Sequence, residues 1–513
     1  MTKNTDYLTL KNPIEVFTNK DKKELTREDL IEVIIGNDIE RITFHYTGID
    51  GKIKELKIPI TSRKQAERIL TDGERVDGSS LFKGLVEVGK SDLYVVPLYK
   101  SAFFNPFEEG SLDFICKFVD RNGNLANFAP DNILSNAHNL LKKNHGYELL
   151  AHGEVEFYLL GEQENCTYVL PAQKGYHASS PFAKTGLVVS EMLRIISQIT
   201  GSVKYAHNEV GTLHHIDSEY TELNGKYAEQ VEIEFALSDV EEAANNVILA
   251  AWIIRNVAYR YGLIATFFPK IEPGQAGTGF HIHMALSKDG KNIMCDSAGE
   301  LSNDALKLIG GLCKYAPSLT SFGNTVSASY LRLVPGQEAP TKVFWSDSNR
   351  SALIRVPLAW TKVSNLTKIV NPQQKTPSPI DEVRQTVELR SPDGSANVHL
   401  LLAGITMAVD WGLVDTDKSL PLAEISRVDS GGSGASADVD VLMTCCVDSA
   451  ELLLAKRAHY EREGIFPPAV IDYVAELLKK ENDSNLNSRL LALAEDERMK
   501  ESRKIMHRDI HRC

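Results

Sequence analysis

Four short stretches set charged residues at every second position among apolar ones: GEVEF (153–157), VEIEF (231–235), FHIHMAL (280–286) and TVELR (386–390). On a β-strand successive side chains point to opposite faces. Glu154 and Glu156 therefore share a face, as do Glu232 and Glu234, His281 and His283, and Glu388 and Arg390. A carboxylate turned into a core is costly unless it meets a cation. One such strand is readily an edge with a solvated face. Several of them in one chain, together with an H-x-H, point instead to a shared polar site.

Two imidazoles side by side on a strand suggest a metal, a phosphate, or two histidines satisfied by backbone. Oxygen ligands with an occasional imidazole suit Mg²⁺ or Mn²⁺, whereas zinc prefers sulfur or more histidine. A second set of residues is cationic: Arg332 in LRLVPGQEAP, and Arg350 and Arg355 in SNRSALIRVP. Guanidinium groups offer fixed forks for carboxylate and phosphate. Divalent metals facing an arginine cluster suit phosphoryl transfer from a nucleotide. The competing readings are a metal-dependent hydrolase or a cupin-type oxygenase. Both generally need further histidines, and the excess of glutamate and arginine favours the nucleotide.

At 513 residues the chain is long enough for more than one domain, and its 43% hydrophobic and 24% charged composition is that of a globular protein. A net charge of −13 argues against a nucleic-acid partner. The start, MTKNTDYLTL, has no apolar signal core, and the longest apolar runs are too short to span a bilayer. Seven cysteines without a C-x-x-C spacing fit a reduced, cytoplasmic protein. Alternating runs between 39 and 119 predict a strand-rich N-terminal module, followed by a turn-rich boundary at 119–132. Beyond it, helical patterns alternate with short strands, which gives an α+β class. SGGSGAS (430–436) lacks the Lys-Ser/Thr of a phosphate loop and is expected to be a surface loop. The charged tail from Lys479, with Leu486, Leu490 and Leu493 at helical spacing, is expected to form a surface or interface helix.

Taken in order, VDGSS (76–80), GEVEF (153–157), AHNEV (206–210), AEQVEIEF (228–235), ATFFPKIEPGQAGTGFHIHMAL (265–286), SYLRLVPGQEAP (329–340), NRSALIRVP (349–357) and VELRSPDGSAN (387–397) resemble the glutamine synthetase family. The resemblance implies an N-terminal β-grasp-like domain with a leading helix (1–125). It also implies a catalytic domain (126–513) with a curved antiparallel sheet flanked by helices and a charged helical tail. The implied reaction joins ammonia to L-glutamate at the expense of ATP, in a homo-oligomeric ring, a dodecamer, with active sites between subunits. A γ-glutamyl ligase for an organic amine and a catalytically silent relative are the alternatives.

Residue by residue, the resemblance implies one metal on Glu156, Glu209 and Glu232 and another on Glu154, His281 and Glu388, with two or three Mg²⁺ or Mn²⁺ ions per site. His283, Arg350 and Arg355 would contact the nucleotide phosphates, Arg390 the transferring phosphoryl group, and Arg332 with Gly277 the glutamate. Asp77, Ser80, Tyr176, Glu209 and Glu338 would enclose ammonium, with Asp77 and Glu338 as proton acceptors. The family pattern is altered at Val76, Ile271, Ala276 and Ala285, and by an insertion between Glu209 and Glu232. Many bacterial members are adenylylated on a tyrosine late in the chain. The matching segment here, 415–428, contains none, which implies no such control.

Overall fold

The computed structural model describes residues 9–87, 89, 91–162, 167–335, 339–359, 366–376, 383–428 and 439–513. SGGSGAS and Glu338 lie outside them.

Two sheets organise the chain. The N-terminal one is built from β1 (Arg41–Thr47), β2 (Ile53–Pro59), β3 (Glu74–Asp77), β4 (Asp92–Pro97), β5 (Phe103–Phe104) and β6 (Ser111–Val119), in the order β2-β1-β6-β4-β3 with β5 on β6. β1 and β6 run parallel at its centre, and the other pairs are antiparallel. Parallel neighbours need a long crossover. Here it contains the helix Arg63–Asp72, whose Ala66, Ile69 and Leu70 are buried. This mixed sheet is a β-grasp. The leading helix Arg27–Gly36 is started by a Thr26–Asp29 capping box, which satisfies its first free N–H groups.

The second sheet contains β7 (Glu148–Gly161), β8 (Val203–Leu213), β9 (Tyr227–Phe235), β10 (Ser238–Asp239), β11 (Ile264–Thr266), β12 (Phe280–Lys288), β13 (Lys291–Asn292), β14 (Trp345–Asp347), β15 (Ile354–Val356) and β16 (Val387–Leu389). Its main order is β14-β15-β16-β12-β7-β9-β8. The pairs are antiparallel except β14 with β15 at one edge.

Period two sorts the side chains of this sheet. Val155, Phe157, Val231, Ile233 and Phe235 are buried apolar residues that belong to the main core. That core also holds the inner faces of the helices Pro130–His145, Val240–Arg260, Asn303–Gly323 and Val398–Val414. Glutamates and histidines alternate with these residues and take the opposite face. Among the described residues no single helix is long and apolar enough to cross a membrane, and the apolar helix Val398–Val414 is buried. None of the described cysteines is in a disulfide.

Where a surface or interface helix was expected, the tail is helical but in two pieces, Leu486–Leu491 and Glu495–His507, and turns back onto the chain. Leu486, Leu490 and Met506 bury themselves with Leu331, and Ile510 enters a second cluster with Tyr158, Phe268 and Ile271. Its charged residues pair along the same surface, so a highly charged segment is nonetheless packed.

Candidate active site

The polar face of the second sheet lines a cavity of about 2700 Å³. A drug-sized ligand fills roughly 300–1,000 Å³, so this space accommodates more than one substrate. Strand register composes its floor. Glu154 on β7 lies opposite His281 on β12 and Glu234 on β9. Glu156 lies opposite Glu232, which in turn faces His207 on β8. His283 lies between His152 and Glu388, and Glu388 faces Arg355. Residues scattered over two hundred positions thus become neighbours in cross-strand rows.

At one end Glu154 bridges the two histidines, with Oε2 2.7 Å from His281 Nδ1 and Oε1 2.9 Å from His283 Nε2. Burial opposes its ionisation, but these two hydrogen bonds prevail and hold its pKa well below the usual carboxylate range. Glu388 is gripped by Arg355 Nη1 at 2.8 Å and Arg390 Nε at 3.0 Å. Arg355 Nε and Arg390 Nη1 are buried without a hydrogen-bond partner among the described residues. Buried guanidinium donors of this kind are suited to an anion.

At the other end Glu156, Glu209 and Glu232 converge. His207 Nε2 is 3.2 Å from Glu232 Oε1, and its Nδ1 is 3.8 Å from Glu209 Oε1. Burial, and the charges of Glu156 and Glu232, push the Glu209 pKa up to about 8. Burial and neighbouring carboxylates raise Glu232 as well. For His207, burial lowers the pKa, but the hydrogen bond to Glu232 outweighs it and the result is about 8. Carboxylates that repel one another in this way gain from a cation among them, and the oxygen-rich donor set fits Mg²⁺ or Mn²⁺.

Glu209 sits in an irregularity of β8, where the pairing with β9 shifts between Asn208 and Thr212. The bulge is held by the neighbouring segment: Gly175 N donates to Val210 O, and His177 N to Asn208 O. Tyr176, between these two anchors, packs tilted against His177 and reaches the Arg350 guanidinium. Across the cavity Arg332 is 6% exposed, with Nη1 donating to Ser391 O at 2.9 Å. The glycines of GTG have a local cause. A Cβ at Gly277 would meet Pro269 O at 2.7 Å and Arg332 Cγ at 3.1 Å, and one at Gly279 would meet His281 Nε2 at 2.7 Å.

All the described site residues predicted from sequence line this cavity except Asp77 and Ser80. Asp77 and Ser80 are hydrogen-bonded to each other at 2.6 Å where β3 meets the turn Gly78–Leu81, on the N-terminal sheet. Glu338 lies outside the described residues. Among the described residues, the groups compact enough to share an ion include Glu154–His283–Glu388, His207–Glu209–Glu232 and Glu154–Glu232–Glu234. His281 is nevertheless 2.7 Å from Glu154 and 3.6 Å from Glu388.

Models of the glutamine synthetase β-grasp domain and catalytic domain match residues 38–121 and 127–427. The chain belongs to the glutamine synthetase family. It is 31% identical to the glutamine synthetase of Halobacterium salinarum over 398 residues, 76% of this chain and 78% of the relative. With that of Methanosarcina mazei the identity is 30% over 434 residues, 82% and 88% of the two chains. Among solved structures, Plasmodium falciparum glutamine synthetase is similar with a TM-score of 0.71 at 20% identity, over 90% of this chain and 97% of that one. A structure described as a GmaS/ADP complex is similar with a TM-score of 0.68, also at 20% identity, over 91% and 98%.

For a glutamine synthetase family member of this divergence, several cavity residues were missed by sequence reasoning. His207 and His152 each stand two positions before a predicted ligand, in AHNEV and AHGEVEF, so the period-two rule puts them on the ligand face. His152 stacks on His283 with centroids 4.4 Å apart. Glu234 was placed on that face without a role, and it binds Lys204 at 2.6 Å. Gln230 Nε2 donates to both Glu156 Oε2 and Gly277 O at 2.9 Å, which ties a predicted ligand to the glycine loop.

Proposed function

We propose that this protein joins ammonia to L-glutamate, consuming ATP through γ-glutamyl phosphate and giving L-glutamine, ADP and phosphate. The observation that carries the reading is one cavity in which an excess of buried carboxylates faces buried guanidinium donors. Glu156, Glu209 and Glu232 hold one divalent ion, and Glu154, His281 and Glu388 another. Bound Mg²⁺ or Mn²⁺ supplies charge neutralisation at the γ-phosphate.

Arg350, Arg355 and His283 orient the nucleotide phosphates, while Arg332 and the Gly277 backbone fix glutamate. The γ-carboxylate oxygen attacks the γ-phosphorus and ADP departs, with Arg390 stabilising the moving phosphoryl group. Asp77 accepts a proton from ammonium bound among Ser80, Tyr176, Glu209 and Glu338. The freed ammonia attacks the acyl carbon and expels phosphate. Glu338 shields the acyl phosphate from water and takes the second proton.

Asp77 and Ser80 belong to the N-terminal sheet and are not among the lining residues of the cavity. We therefore infer a ring-shaped homo-oligomer in which a neighbour presents them, with the dodecamer implied by the family resemblance. Mixing Asp77→Ala with Glu388→Ala chains then restores activity, because some shared sites are wholly wild type. A fully active monomer contradicts this assembly. The test of the reaction is phosphate release with ATP and glutamate, comparing ammonium with methylamine, ethylamine and putrescine. Preference for any amine by kcat/KM assigns the protein to the amine ligases instead.

A further inference from the structure

The family models end at residue 427, yet the tail beyond Glu481 touches both walls of the cavity where Gly277 and Arg332 meet. One wall is the loop from Pro269 to Gly279. Its inner side is fixed by Tyr158 Oη donating to Ala276 O at 2.9 Å and by Ala276 N donating to Gln173 Oε1 at 2.8 Å. Its outer side is held by the tail. Arg503 binds Glu272 through Nε at 3.1 Å and Nη2 at 2.7 Å, and His507 Nε2 donates to Ile271 O at 2.8 Å. The same guanidinium reaches Asp217, in the insertion absent from the family pattern, with Nη1 at 2.6 Å. One arginine thus clasps the insertion and the loop together.

The other wall is the turn Ser329–Arg332. Asn487 Nδ2 donates to Tyr330 O at 3.1 Å, and Leu331 packs against Leu486, Leu490 and Met506. Ser327, just before the turn, donates through Oγ to Glu481 at 2.7 Å, and Glu481 is also held by Arg508 and Arg512. Gly277 and Arg332 are in near contact, so small shifts in either wall change the gap between them. Among the described residues the tail makes no hydrogen bond or ion pair to β12 or β16, which form the nucleotide end of the floor.

We propose that the tail is a buttress for the glutamate side of the cavity and that Arg503 is its positioning residue. This rests on the reading that Gly277 and Arg332 hold glutamate. Arg503 touches no reacting group. It acts by fixing Glu272, and through it the height of the glycine loop against Arg332. A planar fork sharing two nitrogens with one carboxylate and a third with Asp217 gives a defined position that a single point charge does not.

The test is Arg503→Ala and Arg503→Lys in the full chain. KM is measured separately for glutamate and ATP, and hydrogen–deuterium exchange is followed over 270–279. Arg503→Ala should raise the glutamate KM on the order of tenfold, below the hundredfold that a 1 Å misplacement can cause. The ATP KM should stay within about twofold, exchange over 270–279 should accelerate, and Arg503→Lys should recover part of each effect. Equal rises in both KM values, or unchanged exchange over 270–279, would overturn the proposal. Should Arg503→Ala fail to fold, Asp217→Asn, which leaves the Glu272 pair intact, takes its place with the same readouts and smaller shifts. A wild-type protein without glutamate-dependent turnover, but with faster loop exchange in Arg503→Ala, sinks the substrate reading and leaves the buttress standing.

Discussion

Glu209 and Glu241 are both glutamates in buried clusters that also contain histidine and further acids. Glu241, in the first turn of the helix Val240–Arg260, lies 3.3 Å from Lys117 and 3.6 Å from His138, and it accepts a hydrogen bond from Ser135. Burial favours its neutral form, yet His138, Lys117 and Ser135 outweigh burial and hold its pKa far below the ordinary range. Glu209 moves the other way, to about 8, because its neighbours include Glu156 and Glu232. Geometry alone does not separate the two, since His138–Asp239–Glu241 and His207–Glu209–Glu232 are both compact enough for an ion. Charge balance separates them. The first cluster contains its cation, Lys117, whereas among the described residues no lysine or arginine is hydrogen-bonded to Glu156, Glu209 or Glu232.

The largest effect that would break this contrast is on turnover. Glu388→Ala removes a carboxylate from the unbalanced site and frees Arg355 and Arg390, so phosphate release should fall about 10²–10³-fold. Wild-type-like turnover would show that the nucleotide-side carboxylates are structural, as Glu241 is.

Glu241→Ala should instead cost stability, about 1.5–3 kcal/mol, because Lys117 loses its nearer carboxylate and keeps Asp131, 3.8 Å away. Thermal unfolding measures it, and kcat per folded molecule should stay near that of the wild type. If the melting point is unmoved, the Lys117 cluster is not the self-contained network described.

A third difference is in pH dependence. Glu209 keeps its proton in the fold up to about pH 8, whereas an unfolded glutamate loses it near pH 4.5. Its native form therefore holds more protons in that window, and metal-free stability falls as pH rises from about 4.5 to 8. His207, raised to about 8, contributes stability that is also lost as pH rises through 8. Unfolding in a chelator should thus be easier at pH 8.5 than at 6, and Glu209→Gln should flatten the slope. Divalent ion binding near pH 7 should release protons, seen as a buffer-dependent calorimetric heat. A flat profile in the wild type would remove the charge excess on which the contrast rests.

The smallest expected effect is that of Ser135→Ala, about 1 kcal/mol, because Lys117 and Glu241 both lose its hydroxyl but keep each other. Chemical denaturation resolves it. No KM should change.

The strands bearing Glu154, Glu232, His281 and Glu388 were legible because alternation is a local property that survives divergence. Their pairing was not, since a one-residue slip in register would oppose different side chains, and register is set by contacts far apart in sequence. His207 shows the limit. Its spacing from Glu209 was visible, but its contact with Glu232 exists only because β8 pairs with β9. The packing of the tail was not legible for a related reason. Its Arg503 is matched by Glu272, from a segment more than two hundred residues away, and its Arg508 by Glu481 at the tail's own start. Asp77 and Ser80 were found by motif alone, and nothing in one chain's packing explains their position.

The irregularity in β8 has a consequence for how such a chain tolerates length changes. From Asn208 to Thr212 the strand advances four positions while β9 retreats two, from Val231 to Glu229, so β8 holds two surplus residues opposite Gln230. Deleting Val210 and Gly211 would leave the flanking pairs in phase and give the sheet a regular ladder. It would also remove the kink that aims Glu209, along with the carbonyl to which Gly175 donates. Substitutions around this point change the chemistry of the site by degrees, but a shortened strand would be a better sheet and a poorer catalyst. Selection for a more robust fold and selection for activity therefore pull in opposite directions at these two residues.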